Sequence, residues 1–367
     1  MDDSRALAFT GGGTGGHIYP GLAVIEALRS RGFPGRIVWI GSRKESDRKT
    51  VEAAGVEYLA IPSGKLRRSL SPRNALDALR VLAGYAAARR VLGRIRPAFL
   101  FSKGGYVSVP PCAAAASLGI PYVTHESDLT PGLATRLNAR RAGRVLMSYE
   151  ATRAFLPESA RDSALAVGNP IRSAIRKGDA ALGRSMLGAA PGLPVVLFLG
   201  GSQGARQVNE LVAAVRPELS RRAFIVHQTG EGGAPAAPAD ERYRPFAYIR
   251  DDLPHILAAA DLVVGRAGAG TLWECGALGK AMVLVPLCGS GTRGDQVDNA
   301  RLFAAAGAAS VLVGDEAKPE RLLAEIAAFL DDDARREAAG RAARALAGRD
   351  AALEIADLIL HGMEATR

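Results

Sequence analysis

The chain has 367 residues, of which 48% are hydrophobic and 23% charged, a globular composition at a length that suits two domains better than one. Its 47 Lys and Arg against 37 Asp and Glu give a net charge of +10, which favours an anionic partner. No apolar run approaches the ~18 residues of a membrane span, and the three cysteines show no Cys-x-x-Cys spacing, so integral membrane proteins, secreted disulfide scaffolds and zinc ribbons are excluded.

Apolar strands and helical stretches alternate along the whole chain. The first strand, Leu7–Phe9, follows the first residues so closely that we expect no signal peptide and a cytoplasmic location. Continuous runs of Val, Ile and Leu are typical of parallel strands covered on both faces, with helices as the crossovers. The sequence therefore predicts an α/β fold. Further strands are predicted at Ile37–Ile40, Leu59–Ile61, Phe99–Phe101, Tyr122–Thr124, Val145–Met147, Leu165–Val167, Val195–Leu199, Phe224–His227, Phe246–Ile249, Leu262–Val264, Met282–Val285 and Val311–Val313.

Two similar segments divide the chain into halves. Leu7–Gly16 and Val196–Gly204 each read as a strand, a glycine turn and a helix start, the first βα unit of a Rossmann-like domain. A turn with a proline, Gly168–Asn169–Pro170, marks the boundary. We therefore predict a domain over residues 1–168 and another over residues 169–349, with a last helix in residues 350–367 that crosses back to the first.

Each glycine turn is a candidate anion site, because backbone N–H groups ahead of a helix point outward and the helix dipole favours negative charge. Gly200–Gly204 suits a diphosphate, although any α/β protein needs glycine at such turns. Neither turn matches the P-loop pattern, which argues against phosphoryl transfer. Gly11-x-Gly13-x-x-Gly16 is a loose dinucleotide fingerprint, but strand Ile37–Ile40 is followed by Gly-Ser-Arg-Lys instead of the expected acid. This counts against an NAD-dependent dehydrogenase and leaves NADP as a weak alternative.

His17 directly follows the first glycine turn and is a candidate general base. An imidazole at a helix N-terminus sees a partial positive field, which disfavours its protonated form and keeps it available to accept a proton. The alternative is a histidine that caps or packs at the turn.

The segment Gly265–Glu274 is rich in small residues and follows a predicted strand, which allows a ligand close to a helix N-terminus. Glu274 lies one turn after Thr271, and its two carboxylate oxygens suit the paired hydroxyls of a ribose. The alternative is a capping box formed by Thr271 and Glu274. Residues 289–299 are rich in Gly, Asp, Gln and Asn, which suit sugar hydroxyls but also occur in surface loops.

Taken together, these segments resemble the MurG family of UDP-N-acetylglucosamine:lipid I N-acetylglucosaminyltransferases, which make lipid II for peptidoglycan. The resemblance implies a GT-B fold, two Rossmann-like domains around a cleft, with UDP-GlcNAc held by the C-terminal domain and the acceptor and membrane facing the N-terminal one. The matching pieces are Gly11–Pro20, Lys103–Val107, His125–Glu126, Gly168–Arg172, Gly200–Arg206 and Arg266–Glu274.

The resemblance also implies roles for single residues. His17 becomes the catalytic base, Arg172 and Ser202 phosphate ligands, and Glu274 the ribose ligand. Two positions depart from the family: many members continue His-Glu as Gln-Asn where this chain has Ser127–Asp128, and many have Gln-Gln where it has Asp295–Gln296. The implied substrate-binding residues are Thr14, Gly15, Gly16, Asp128, Arg172, Ser202, Gln203, Arg266, Ala269, Gly270, Thr271, Glu274, Asp295, Gln296 and Asn299.

The implied reaction is an inverting transfer, in which the acceptor hydroxyl attacks the anomeric carbon opposite the diphosphate while the base removes its proton. No Asp-x-Asp metal signal precedes a donor loop, and Asp331–Asp333 reads as a solvated turn. We therefore expect no metal ligands and no required cofactor, with an effect of free Mg²⁺ left open. UDP-GlcNAc is a co-substrate.

Most of the positive excess lies in one stretch, residues 65–96, which contains nine basic residues and one acid, Asp77. Together with apolar residues at three-residue spacing after Ser71–Pro72, this predicts a basic amphipathic helix suited to an anionic bilayer. The alternative is a core-packing helix with a solvated outer face. Aromatic residues total only 5%, and no recognition motif appears, so we expect no nucleic-acid partner. The predicted membrane patch is Leu76, Leu79, Arg80, Leu82, Tyr85, Arg89 and Arg90.

The sequence thus predicts a peripheral enzyme on the cytoplasmic face of the plasma membrane, acting on UDP-GlcNAc and polyprenyl-linked lipid I. The open alternatives are a GT-B transferase with another lipid-linked acceptor, a UDP-GlcNAc epimerase, and a non-enzymatic UDP-sugar sensor at the membrane. The basic stretch favours a lipid-linked acceptor over epimerisation, and the intact His17 argues against a sensor.

Overall fold

The computed structural model of the protein describes residues 6–64, 73–200, 205–230, 232–233, 235–289 and 292–364, with the side chains of residues 73–76 and 364 left out. The described chain groups into two compact units. The first unit contains the residues up to Arg172 together with those from Asp350 onward, and the second contains Ser173–Arg349.

The first unit is built on a parallel sheet. Its strands are β1 (Leu7–Thr10), β2 (Ile37–Gly41), β3 (Glu57–Ala60), β4 (Phe99–Ser102), β5 (Tyr122–Glu126), β6 (Arg144–Met147) and β7 (Ala164–Ala166). Among the described residues the order is β3-β2-β1-β4-β5-β6-β7, and Leu7 of β1 pairs with Ile37 on one side and Phe99 on the other. The chain reverses its direction of travel across the sheet at β1 and β4, which places a topological switch point between these strands.

Helices cover both faces of this sheet, because successive strand residues point to opposite sides. Leu7 and Phe9 belong to one cluster with α1 and α15, whereas Ala6 and Ala8 pack on the other side against residues of α3 and α4. The last helix thus completes the core of the first unit. Numbered along the whole chain, the helices of this unit are α1 (Tyr19–Ser30), α2 (Glu45–Ala53), α3 (Arg73–Ile95), α4 (Val109–Ser117), α5 (Leu133–Ala139), α6 (Glu158–Arg161) and α15 (Ala351–Glu364).

The second unit repeats this plan. In its described part the parallel sheet has the order β10-β9-β8-β11-β12-β13, with α9 and α13 packed on one face. The strands are β8 (Val195–Leu199), β9 (Phe224–Gln228), β10 (Tyr243–Phe246), β11 (Leu262–Gly265), β12 (Ala281–Leu284) and β13 (Ala309–Val311). The helices are α7 (Ser173–Arg176), α8 (Ala180–Leu187), α9 (Arg206–Leu219), α10 (Leu253–Ala259), α11 (Ala269–Ala277), α12 (Asp295–Ala305), α13 (Pro319–Leu330) and α14 (Asp333–Ala347).

These two sheets confirm the predicted α/β class with two Rossmann-like domains. The prediction of a strand at Phe246–Ile249 is wrong, because β10 lies three residues earlier and contains Pro245. Since β10 is an edge strand, the missing proline N–H removes no bond from the middle of the sheet. The predicted strand Val311–Val313 likewise lies two residues too late, since β13 ends at Val311.

Because the described strands of each sheet pair in parallel, their carboxyl ends meet at one edge. The loops after β1, β4 and β5 share that edge in the first unit, and the loops after β8, β11 and β12 share it in the second. Ligands of open α/β sheets bind at this edge. Within the described residues, no helix is both long and apolar enough to cross a bilayer.

Candidate functional site

The glycine turn after β1 is held by a buried carboxylate from α2. Asp47 is 3% exposed, and its Oδ2 accepts the backbone N–H of Gly13 at 2.7 Å. The ammonium of Lys44 lies 3.3 Å from the carbonyl oxygen of Gly13 and 3.7 Å from Oδ1 of Asp47. Gly13 has a φ of +88°, and a Cβ there would lie 2.7 Å from the ring of Tyr106, so this position requires glycine. Both the backbone N–H and the carbonyl oxygen of Gly13 are thereby fixed just ahead of Thr14.

His17 ends a short 3₁₀ turn, Gly15–His17, two residues before α1 begins. Its Nδ1 lies 2.9 Å from Oγ1 of Thr14. When Nδ1 carries the proton and donates it to Thr14, the lone pair of the ring lies on Nε2, which gives that atom the role of base. The loop after β4 borders the ring, since a Cβ on Gly105 would lie 3.2 Å from Cγ and Cδ2 of His17.

A chain of polar contacts links the loops after β4, β5 and β7. Lys103, the residue after β4, is 2% exposed, and its Nζ donates to Oγ of Ser127 at 2.5 Å. Ser127 in turn donates to Oδ1 of Asn169 at 2.7 Å. Burial lowers the pKa of Lys103 to about 8, against the opposing attraction of Glu126 and Asp128.

Glu126, the last residue of β5, organises the turn that follows it. Its carboxylate accepts the backbone N–H groups of Ser127 (2.9 Å), Asp128 (3.1 Å) and Gly132 (3.0 Å), and the Thr135 hydroxyl at 2.6 Å. A carboxylate with this many donors serves as an anchor, so Glu126 holds the backbone of the turn that carries Asp128.

His125 and Asn169 lie beneath this turn, both at most 1% exposed. Burial, and then the charge of Lys103, hold the pKa of His125 well below its ordinary value, so the ring is neutral. Its Nε2 therefore donates to the carbonyl oxygen of Gly168 at 2.8 Å. Within the part of the chain that the structure describes, Nδ1 of His125 and Nδ2 of Asn169 have no hydrogen-bond partner.

Arg172 groups with the first unit, although the predicted boundary put it in the second domain. Its guanidinium carbon lies 5.4 Å from the ring centroid of Tyr19, the first residue of α1. This cation–π geometry holds the guanidinium near the start of α1. Thr14, Gly15, Gly16, His17 and Arg172 therefore all belong to one unit, together with Asp128.

In the second unit, the N-terminus of α11 is open. The helix begins at Ala269, and its N-cap Gly268 provides no side-chain hydrogen bond to the first turn. Among the described residues, a Cβ added at Gly268 or at Gly270 would meet no atom within 4 Å apart from its chain neighbours and its own helix backbone. The first N–H groups of a helix have no partner within it, so this end can receive an anion.

The proposed capping box of Thr271 and Glu274 is wrong. Because α11 begins at Ala269, Thr271 lies inside the first turn and cannot be the N-cap. Glu274 follows Gly270 by four residues and therefore lies on the same side of the helix. Both Thr271 and Glu274 are half-buried.

The loop before α11 is braced from below. Nη1 of Arg266 donates to Oε1 of Gln207 and to the carbonyl oxygen of Val285, each at 2.9 Å. Asn299 is fully buried, and its Nδ2 lies 3.4 Å from the carbonyl oxygen of Ala267. The side chain of Arg266 therefore ties this loop to neighbouring segments, and the side chain of Asn299 reaches the loop from α12.

Asp295 and Gln296 begin α12 after Gly294. Oε1 of Gln296 accepts the backbone N–H of Leu287 at 3.0 Å, and Asp295 lies 3.3 Å from Nη2 of Arg293. A carboxylate in the first turn is favourable with the helix dipole. Ser202 and Gln203 lie outside the described residues.

The outer surface of α3 carries the predicted membrane patch in altered form. Leu79 and Leu82 are 63% and 64% exposed, and Arg89 and Arg90 are exposed further along the helix. Tyr85 instead packs on the core beside Ala88 and Leu92. A three-residue step turns a helix by 300°, so a stripe with that spacing drifts around the axis and Tyr85 leaves the outer face. Arg80 pairs with the buried Asp77 at 3.1 Å, and the side chain of Leu76 lies outside the described residues.

Sequence reasoning assigned no function to two residues that shape these loops. Asp47 lies in a charged run without periodicity, where an acid is usually solvated. Lys103 belongs to a segment that resembles the family, but a lysine is rarely buried, and its hydrogen-bond partner Ser127 lies 24 positions away. The sequence signal that points to this contact is Ser127 itself, which departs from the pattern of many family members.

Known proteins resemble this chain along nearly its whole length. The family models for the glycosyltransferase family 28 N-terminal and C-terminal domains match residues 7–147 and 195–355. A UDP-N-acetylglucosamine--N-acetylmuramyl-(pentapeptide) pyrophosphoryl-undecaprenol N-acetylglucosamine transferase of Treponema denticola is 43% identical over 97% of each chain. A protein of the same name from Staphylococcus carnosus is 39% identical over 85% of each chain.

Solved structures agree with this relationship at the level of the fold. MurG of Acinetobacter baumannii has a TM-score of 0.73 at 24% identity, covering 97% of this chain and 99% of its own. A UDP-GlcNAc 2-epimerase from Neisseria meningitidis has a TM-score of 0.66 at 12% identity over 97% of this chain and 100% of its own, so the fold alone does not separate the two activities. The GT-B fold is confirmed, and the identity to the curated relatives decides the family: this chain belongs to the MurG family of glycosyltransferases.

Proposed function

We propose that this protein transfers N-acetylglucosamine from UDP-GlcNAc to the MurNAc 4-hydroxyl of lipid I, with inversion at the anomeric carbon. The observation that carries the proposal is the 43% identity over 97% of the chain to a relative whose name specifies this donor sugar and a muramyl-pyrophosphoryl-undecaprenol acceptor. The site residues below are proposed on the same basis, supported by their local geometry.

His17 is the proposed general base. The contact between Thr14 Oγ1 and His17 Nδ1 supports this role, because the tautomer that donates from Nδ1 to the threonine hydroxyl has its lone pair on Nε2. That atom removes the proton of the acceptor hydroxyl as the hydroxyl oxygen attacks C1 of the sugar. Asp47 contributes indirectly, since it accepts the backbone N–H of Gly13, the residue before Thr14.

The second unit is the proposed donor site. The open N-terminus of α11 supplies unpaired N–H groups to the donor, and Glu274, on the same side as Gly270, is the proposed ligand of the ribose hydroxyls. Ser202 and Gln203, together with Arg172 from the first unit, are proposed to bind the diphosphate, whose negative charge grows as the bond to C1 breaks. Asp295, Gln296, Arg266 and Asn299 support this site, the last three through the backbone contacts described above.

The proposed activity is tested with labelled UDP-GlcNAc and a short-chain lipid I analogue. We expect a disaccharide product whose formation requires the acceptor. UDP-GlcNAc alone provides the second measurement, because an epimerase would form the 2-epimer without any acceptor. Epimer in the absence of disaccharide would overturn the proposal and establish the alternative activity.

We place this enzyme at an anionic membrane surface through α3. The exposed Leu79 and Leu82 suit shallow insertion, and the exposed Arg89 and Arg90 suit lipid phosphates, with about 1 kcal/mol for each basic residue near the surface. A lipid-linked acceptor requires such an approach, since its sugar lies close to the bilayer.

Vesicle binding tests this surface. Arg89→Glu with Arg90→Glu removes two attractions and adds two repulsions, so sedimentation with phosphatidylglycerol vesicles should fall at least tenfold. Activity on the short-chain acceptor should remain. Arg321→Glu with Arg341→Glu, on exposed helices of the second unit, is the charge-matched control. Equal losses in both pairs would attribute binding to net charge rather than to α3.

A further inference from the structure

Two glycines after β4 lie beside the ring of the proposed base. Gly104 and Gly105 have φ values of +80° and +76°, a backbone conformation that favours glycine. A Cβ on Gly105 would lie 3.2 Å from both Cγ and Cδ2 of His17, whereas Oγ1 of Thr14 contacts the ring at Nδ1. The ring is therefore bordered at Nδ1 and at the Cγ–Cδ2 bond. A shift of Gly105 allows the ring to turn, which moves Nε2, the atom bonded to Cδ2.

Two buried serines hold the backbone of this glycine pair. The hydroxyl oxygen of Ser102, the last residue of β4, accepts the backbone N–H of Gly104 at 3.2 Å. The hydroxyl of Ser108, just before α4, donates to the carbonyl oxygen of Gly105 at 2.8 Å. Because both serines are fully buried, a lost protein partner is not readily replaced by bulk water.

The two serines share a donor, the buried side-chain amide of Asn138 in α5. Its Nδ2 lies 2.8 Å from Oγ of Ser108 and 3.4 Å from Oγ of Ser102. An amide nitrogen carries two hydrogens, so this one group donates to both hydroxyl oxygens at once. Because Ser108 accepts from Asn138, its own hydrogen is directed to the carbonyl oxygen of Gly105.

We propose that Asn138 is a positioning residue for His17 and acts through the two serines on the Gly104–Gly105 backbone. Its amide arranges the two hydroxyls that hold the glycine pair, and Gly105 in turn borders the imidazole ring. Thr14 orients the ring at Nδ1, and this chain of contacts supports it at the Cγ–Cδ2 bond. The inference rests on the proposed function for its kinetic readout, because a general base depends on the orientation of its ring.

The inference is tested by a double-mutant cycle between Asn138 and Ser108. Asn138→Ala and Ser108→Ala should each lower kcat about tenfold, with little change in the Kd for UDP-GlcNAc. Ser108→Ala is the milder change, because its backbone N–H still donates to the carbonyl oxygen of Gly105 at 3.0 Å. In the double variant kcat should fall no further than in the more affected single variant, because both substitutions break the same chain of contacts. Losses that multiply in the double variant would overturn the proposal.

Tyr122→Phe provides the matched control in the same core. The Tyr122 hydroxyl donates to the backbone carbonyl oxygen of Asn138 at 2.6 Å, so its removal leaves the side-chain amide and both serines in place. We expect a loss of thermal stability with kcat close to the wild-type value. A fall in kcat as large as that of Asn138→Ala would assign Asn138 a purely structural role and overturn the proposal.

The glycine pair separates contact with the ring from backbone strain. Gly104→Ala and Gly105→Ala place a methyl group at nearly the same φ, so both should lose thermal stability. At Gly105 the new Cβ would meet the ring of His17, whereas at Gly104 it would lie 3.3 Å from the carbonyl oxygen of His125. Gly105→Ala should therefore lower kcat at least about tenfold more than Gly104→Ala. Equal losses would overturn the role of Gly105.

The ring nitrogens of His17 give a readout that does not depend on turnover. In nitrogen NMR spectra of the full chain, assigned by comparison with His17→Ala, the ring signals should shift in Asn138→Ala and in Ser108→Ala but not in Tyr122→Phe. Unchanged His17 signals in folded Ser108→Ala and Asn138→Ala would overturn the inference. A wild-type protein that forms no disaccharide would instead reject the proposed function, while the ring signals still decide whether Asn138 positions His17.

Discussion

The loops at the carboxyl edge of the sheet are held by charged side chains in the first unit, whereas in the second unit a helix N-terminus at that edge is uncapped. In the first unit, charged side chains brace the loops: Asp47 holds Gly13, Lys103 holds Ser127, and Glu126 holds the turn after β5. In the described part of the second unit, the N-cap of α11 makes no side-chain hydrogen bond, and no other segment lies within 4 Å of a Cβ placed on Gly268 or Gly270. The braced edge suits a proton transfer, which depends on fixed geometry, and the open edge suits an anionic ligand that supplies the missing partners itself.

The sharpest test of the braced edge is removal of the proposed base. His17→Ala should lower kcat by about 10²- to 10⁴-fold, the usual range for a positioned acid or base. The Kd for UDP-GlcNAc, measured by calorimetry, should stay within about twofold of the wild-type value, because His17 is proposed to act on the acceptor hydroxyl. A twofold change in Kd corresponds to under about half a kcal/mol. Retained turnover would remove His17 from the mechanism, and lost donor binding would make it a binding residue.

A smaller effect is expected one step back from the base. Asp47→Ala removes the acceptor of the Gly13 N–H, so kcat should fall by about 10- to 100-fold as Thr14 and His17 lose their position. The free energy of unfolding should also fall by about 1–3 kcal/mol, because a buried donor loses its partner.

The control for this variant is Asp47→Asn, which keeps an acceptor oxygen but not the charge. It should retain more of both activity and stability than Asp47→Ala. An Asp47→Ala enzyme that unfolds more easily but keeps its full kcat would show that the brace stabilises the fold without positioning the base.

The smallest effect is expected at the N-terminus of α11, where one substitution should stabilise the fold and weaken the use of UDP-GlcNAc. Gly270→Ala adds a methyl group that meets no atom of another described segment, so helix propensity should raise the free energy of unfolding by up to about 1 kcal/mol. The same methyl group occupies space over the helix N-terminus, so the KM for UDP-GlcNAc should rise about three- to tenfold, as for other mismatches of one methyl group in a pocket. An unchanged KM would place the donor elsewhere.

The sequence predicts features that depend on neighbouring residues and misses those that depend on distant ones. Apolar runs and glycine turns are local, so most of the strands, the turn after β1 and the two-domain plan follow from composition and spacing. The strand β10 was misplaced because Pro245 is acceptable only at a sheet edge, and edge position is a property of the whole sheet.

The supporting residues of the site are non-local in the same way. Asp47 and Gly13 are 34 positions apart, and Lys103 and Ser127 are 24 apart, so no window of sequence contains either pair. The inward position of Tyr85 on α3 likewise becomes evident only once the core that it packs against is known. The motif residues could therefore be named in advance, but the contacts that orient them could not.

The packing of α15 sets a condition on how this protein is made. Ala352, Ile355, Ala356 and Ile359 belong to the same cluster as Phe9 and Trp39, so β1 and β2 leave the ribosome well before the helix that helps to cover them. During translation that apolar face stays exposed to chaperones and to aggregation, since domains generally fold as units. An expressed fragment that stops before Asp350 would inherit the same exposed surface permanently.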